Sequence, residues 1–124
     1  MCNFGVTKNI IEMQLTSFLK DITYGDKNPV ITKLIENEAT KEIRIVFRKG
    51  QEMKKHKTKF PITVAVFEGE IGFGVDNVTY VLKRGDVISL EPNIMHNLIA
   101  SENSIIRLSL STYDSVQRVQ NVNE

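Results

Sequence analysis

A chain of 124 residues is the size of one domain and buries roughly two-thirds of its unfolded surface without staples. Its 16 Lys and Arg balance 15 Asp and Glu, which excludes a strong basic field for nucleic acid or an anionic membrane. The single cysteine, Cys2, has no intrachain partner, so no disulfide is expected and a reducing, cytoplasmic setting is the expectation.

The first twenty residues are interrupted by polar side chains and lack the continuous apolar stretch and small-residue cleavage site of a signal peptide. No stretch reaches the ~20 apolar residues that span a bilayer. Ile11, Leu15, Phe18 and Leu19 recur at helical spacing, and Asn9 with Glu12 resembles an N-capping pair. The pattern predicts a short helix over 10–20, within a lead-in segment 1–29 that ends in the turn-forming residues Gly25, Asp26, Asn28 and Pro29.

From Val30 the pattern turns to β. Short runs rich in Val, Ile, Thr and Phe cover Val30 to Ile35, Lys41 to Phe47, Pro61 to Glu68, Ile71 to Val75, Val78 to Leu82, Asp86 to Leu90, Asn97 to Ala100 and Ser104 to Leu110. Asp76-Asn77 is a favoured two-residue hairpin connection, and Gly85 closes a second tight turn. Many short strands with no helices between them predict an all-β domain over 30–111, a closed barrel or two-sheet jelly roll, because both limit exposed edges. Residues 112–124 read as a polar tail that frays or packs on a partner subunit.

Within the β region Gly50, His56, Thr58, Ile62 and Gly69 are followed by Gly85, Glu91, Asn93 and His96. This series resembles the two-part signature of the cupin superfamily: Gly, His-x-His, Glu and Gly, then Gly, Pro-x-Gly and His. The resemblance covers residues 41 to 110 and implies a cupin-type jelly-roll β-barrel preceded by the short N-terminal helix. In metal-binding cupins the first motif supplies two His and a Glu and the second supplies the last His. Here His56 and His96 hold the first and last of those positions, while Thr58 and Ile62 replace the other two. Asn93 stands where cupins often have Gly, and Asn tolerates left-handed φ. The segment from His56 to Thr63 also resembles a subgroup of small bacterial cupins with one His in the first motif, for which no well-defined activity carries over.

The resemblance places His56 and His96, the only histidines, in one pocket. Strand alternation then puts Ile62, Val64 and Val66 on one face, and His96, Leu98 and Ala100 on one face of theirs. The expected ligand pocket is His56, Thr58, Ile62, Val64, His96 and Leu98, with its apolar members alternatively filling the barrel. Sites for Fe, Ni, Mn or Zn need about three or more N, O or S donors, so His56 and His96 alone imply at most a weak divalent-metal site. Arg48, Lys49, Lys54, Lys55, Lys57 and Lys59 surround His56 and read either as a field that attracts a carboxylate or phosphate, or as a solvated edge.

Three functions remain open. One is a cupin binding a small organic ligand, neutral or anionic. A second is a metal-dependent cupin enzyme of dioxygenase, isomerase or decarboxylase type with a non-standard third ligand. The third is a structural module with a filled barrel. The expected partners are a small molecule and a second copy of the chain in a homodimer, with no nucleic acid and no membrane.

Overall fold

The computed structural model describes residues 12–123. Nine strands run in chain order: β1 (Val30–Glu36), β2 (Thr40–Phe47), β3 (Glu52–His56), β4 (Ile62–Glu68), β5 (Glu70–Val75), β6 (Val78–Lys83), β7 (Val87–Leu90), β8 (His96–Ala100) and β9 (Ser104–Ser111). A short helix, α1 (Val116–Gln120), and a 3₁₀ turn (Asn121–Asn123) follow. The strands form two antiparallel sheets, ordered β1-β2-β9-β4-β7 and β3-β8-β5-β6, packed face to face as a jelly roll. Among the described residues no helix is long and apolar enough to cross a membrane.

Strand alternation builds the core. Ile43, Ile45 and Phe47 of β2, Ile62, Val64 and Val66 of β4, Leu98 and Ala100 of β8, and Ile106, Leu108 and Leu110 of β9 meet between the sheets. The faces assigned to 62–66 and 96–100 are therefore those observed. The turns follow the expected chemistry: Asp76 and Asn77 both adopt positive φ, as a tight hairpin requires, and so do Gly85 and Asn93.

Two features differ from expectation. The helix is C-terminal. Residues 12–20 contain no helix, while residues 10 and 11 of the predicted segment lie outside the described residues. A helix of about eleven residues is marginal alone, and tertiary contacts decide the outcome. Gln14 donates from Nε2 to the Glu36 carbonyl and accepts from the Glu36 amide. Phe18 packs edge-on against Phe67. Arg44 donates to the carbonyl of Lys20 at 2.8 Å. Leu15 and Leu19 stay exposed, so no single apolar face forms.

The second difference is β3, which is absent from the β-rich runs because Met53 is its only strongly apolar residue. It pairs only with β8 and is an edge strand, with exposed Lys54 and Lys55 guarding it against pairing with another chain.

Candidate functional site

The two histidines face each other through strand register. β3 and β8 are antiparallel, with Met53 opposite Leu98 and His56 opposite His96, and a bulge lies between these pairs. Three steps along β3 therefore match two along β8. The extra residue keeps both Met53 and His56 on the inner side, with Lys54 and Lys55 outside. The imidazole centroids are 4.2 Å apart, with the rings tilted at 59°. His96 is 2% exposed and stacks on Phe73 at 5.5 Å, which fixes its plane.

Each ring is held by its own strand. His56 Nδ1 lies 2.6 Å from the Lys54 carbonyl and His96 Nδ1 lies 2.8 Å from the Ile94 carbonyl. A carbonyl only accepts, so Nδ1 carries the proton in each neutral ring and Nε2 carries the lone pair. Burial pushes the His56 pKa down to about 4. The Lys54 carbonyl opposes this shift, while His96 and Arg118 add to it. Burial and the Arg118 charge likewise lower His96, against the Ile94 carbonyl. Both imidazoles are neutral bases near pH 7.

The chamber in front of them is lined by Ile45, Met53, Ile62, Val64, Leu98 and Val119, among others, with Arg118 at its edge. Its volume is about 20 Å³, room for about one water molecule. Of the expected pocket residues, His56, Ile62, Val64, His96 and Leu98 meet here. Thr58 does not line this chamber. It is buried, and its hydroxyl donates to Asp114 Oδ2 at 3.0 Å.

Asp114 and Arg118 are the residues that the sequence reading missed. Ser115 caps α1 by accepting from the Arg118 amide, which places Arg118 one turn beyond Asp114. Arg118 donates from Nε to Asp114 Oδ1 at 2.8 Å and from Nη2 to Oδ2 at 2.9 Å. Burial pushes the Asp114 carboxyl up, but hydrogen bonds from Arg118, Ser115 and Thr58 and the Arg118 charge outweigh it and hold the pKa below the usual carboxylate value. The available signal was an Asp-Ser pair before valines spaced three apart, with Arg four residues after Asp. Of the segment 112–124, read as a tail, residues 112–123 instead fold back on their own barrel, where Val119 is 2% exposed within the core.

On its other side Arg118 borders an open cleft of about 470 Å³ at the barrel mouth, lined also by Lys57, Thr58, Lys59, Phe60, Asn93 and Asp114. Of the basic cluster around His56, Lys57 and Lys59 thus belong to this cleft. Arg48 turns away, lying over the Tyr24 ring and donating to the Gly25 carbonyl.

No protein-family model and no curated protein matches this sequence. Solved structures do. An RmlC-like cupin protein from Desulfovibrio desulfuricans superposes with a TM-score of 0.74 at 22% identity, over 81% of this chain and 97% of the other. The fold is that of a cupin. An RmlC-like cupin from Shewanella frigidimarina matches with a TM-score of 0.64 at 27% identity, over 68% of this chain and 77% of the other. A conserved protein with a double-stranded β-helix domain from Klebsiella pneumoniae matches with a TM-score of 0.70 at 20% identity, over 81% and 90%.

A resident transition metal, which the cupin fold raises as a question, is poorly served by this donor set. Two imidazoles meet in the chamber, and each has its Nδ1 engaged by a carbonyl. Ile62 offers no donor, and the Thr58 hydroxyl is committed to Asp114. Among the described residues no group of three or more His, Cys, Asp or Glu side chains is placed to hold an ion. Arg118, permanently cationic, borders the same chamber and repels a second cation. The residues present do not fit a resident metal.

Proposed function

We propose that this cupin binds a small organic anion at the mouth of its barrel, with Arg118 as the anchoring cation and the neutral pair His56 and His96 as acceptors behind it. The observation that carries this reading is the position of Arg118, which forms a wall of both the basic cleft and the two-imidazole chamber. The cleft has the volume of a small-ligand site, which typically runs from about 300 to 1,000 Å³. Lys57, Lys59 and Arg118 face a single carboxylate, Asp114, so the lining has a positive excess. Phe60 adds an apolar surface for a hydrocarbon part. The filled barrel explains why the ligand is met at the mouth rather than deep between the sheets.

The test is calorimetric titration with acetate, benzoate and inorganic phosphate, using benzyl alcohol as the neutral control. Elemental analysis of the wild type and of His56→Ala and His96→Ala accompanies it. The expected result is saturable binding of an anion but not of the alcohol, weakened about tenfold or more by Arg118→Ala, which corresponds to about 1.4 kcal/mol. Stoichiometric metal that either histidine variant loses would overturn the reading and favour the metal-dependent enzyme. Failure of every anion to bind would also overturn it.

A further inference from the structure

We infer that Asp114 is the resting occupant of the ligand's anchor point: a monocarboxylate entering the mouth cleft takes its place on Arg118 and releases the C-terminal helix that closes the two-imidazole chamber. This inference rests on the anion-binding reading above and assigns both the ligand class and the route to the histidines.

The geometry of Asp114 supports the first half. Its two carboxylate oxygens receive Nε and Nη2 of Arg118 side by side, the paired arrangement in which guanidinium recognises carboxylates. Arg118 is thus already formed as a carboxylate receptor, at the edge of a cleft large enough for an incoming acid. An exogenous carboxylate in that cleft also meets Lys57 and Lys59, which line it and form no salt bridge with Asp114, whose ion pair is with Arg118.

The second half follows from what else depends on Asp114. The Thr58 hydroxyl binds its side chain, and Lys41 Nζ binds its carbonyl at 2.8 Å. Through its side chain and carbonyl, Asp114 ties the start of the helix to Thr58 and Lys41. The segment is held as well by Val119 in the core, the partly buried Val116 and Val122, the Asn123 side chain on the main chain of Glu52 and Lys54, and packing of α1 near β1. Tyr113, just before Asp114, is 84% exposed, and the turn there is held by Ser111, whose hydroxyl and carbonyl accept from the Tyr113 and Asp114 amides. While Val119 and Arg118 are in place the chamber admits about one water. An organic group reaches His56 and His96 only after the helix withdraws, and the space it leaves is walled by Ile45, Met53, Ile62, Val64 and Leu98.

The experiment uses the full chain as wild type, Asp114→Asn and Thr58→Val, with benzoate as the probe. Calorimetry measures affinity and hydrogen exchange measures the protection of residues 114–123 against that of β9. Asp114→Asn keeps the side-chain shape while removing the competing charge, and is expected to bind benzoate about tenfold more tightly than wild type. Benzoate is expected to raise exchange in 114–123 of the wild type while β9 stays protected. Thr58→Val, which leaves Arg118 and Asp114 unaltered, is expected to raise exchange of that segment without benzoate. Equal benzoate affinity in wild type and Asp114→Asn overturns the displacement of Asp114 while leaving anion binding intact. Benzoate binding that leaves 114–123 as protected as β9 overturns helix release. No binding of any anion to either protein overturns the underlying reading, a result distinct from the other two.

Discussion

His56 and His96 stand directly opposite each other across β3 and β8, although strict alternation counted from Met53 would turn His56 to the outside. The bulge at Lys54 and Lys55 brings both imidazoles to the same side. Their contact is a property of strand pairing, and it places two neutral bases within 4.2 Å between ring centroids in a chamber that Arg118 separates from the basic cleft.

The two rings contribute unequally to stability. His96 is almost fully buried and stacks on Phe73, whereas His56 lies on an edge strand and is partly accessible. His96→Ala is expected to destabilise by about 2–3 kcal/mol through the cavity it leaves, and His56→Ala by about 1 kcal/mol. Urea denaturation measures both, and the reverse order would contradict the geometry.

The depressed imidazoles link stability to pH. Between the ordinary value of 6.5 and the folded value of about 4 for His56, the unfolded chain binds a proton that the folded chain does not. Stability is therefore fully present above pH 6.5 and declines as pH falls toward 4. His56 contributes at most about 3 kcal/mol to that decline at 1.36 kcal/mol per unit, and His96, lowered in the same direction, adds to it. His56→Gln is expected to flatten much of the slope in thermal melts between these pH values. An unchanged slope would show that His56 is not the group responsible.

Asp114 gives a second, more acidic transition. Its carboxyl lies below the usual value, so the stabilisation it supplies is present above that value and is lost as pH falls through the folded one. Replacing Arg118 with Gln leaves burial opposed only by Ser115 and Thr58, so the Asp114 pKa is expected to rise. A carboxyl-detected NMR titration of wild type and Arg118→Gln checks the direction.

Two glycines with the same backbone sign differ in what surrounds them. Gly85, at φ +93, has open space where a Cβ would stand, whereas a Cβ on Gly69, at φ +90, would collide with the Asn103 carbonyl and Ser104. Gly85→Ala is expected to cost about 1 kcal/mol for the left-handed conformation alone. Gly69→Ala is expected to cost clearly more, because the β9 entrance must also shift. Denaturation midpoints of the two variants compare them.

Much of the barrel was legible along the chain. The eight β-rich runs and the Asp76-Asn77 hairpin follow from local rules, while the cupin resemblance pointed to the left-handed Asn93 and to which faces of Ile62 to Val66 and His96 to Ala100 turn inward. A strand exposes alternate residues, and only a few residue types accept positive φ. Where local signals were weak, other terms decided. Residues 12–20 gave up a marginal helix because Arg44, Phe67 and the main chain of Glu36 offered specific partners. β3 was hidden because an edge strand guarded by lysines has almost no apolar alternation to read.

Periodicity and turn chemistry are local properties, so the sequence by itself determined an all-β barrel, and its resemblance to the cupin motifs assigned the two histidines to the first and last ligand positions. The tertiary structure decided what surrounds them. A bulge aimed His56 inward, Asp114 claimed the Thr58 hydroxyl, and a segment that reads as a polar tail returned to place Arg118 beside both rings and Val119 over the chamber. Those contacts join residues roughly twenty to sixty positions apart through register and burial, and neither can be counted along the chain.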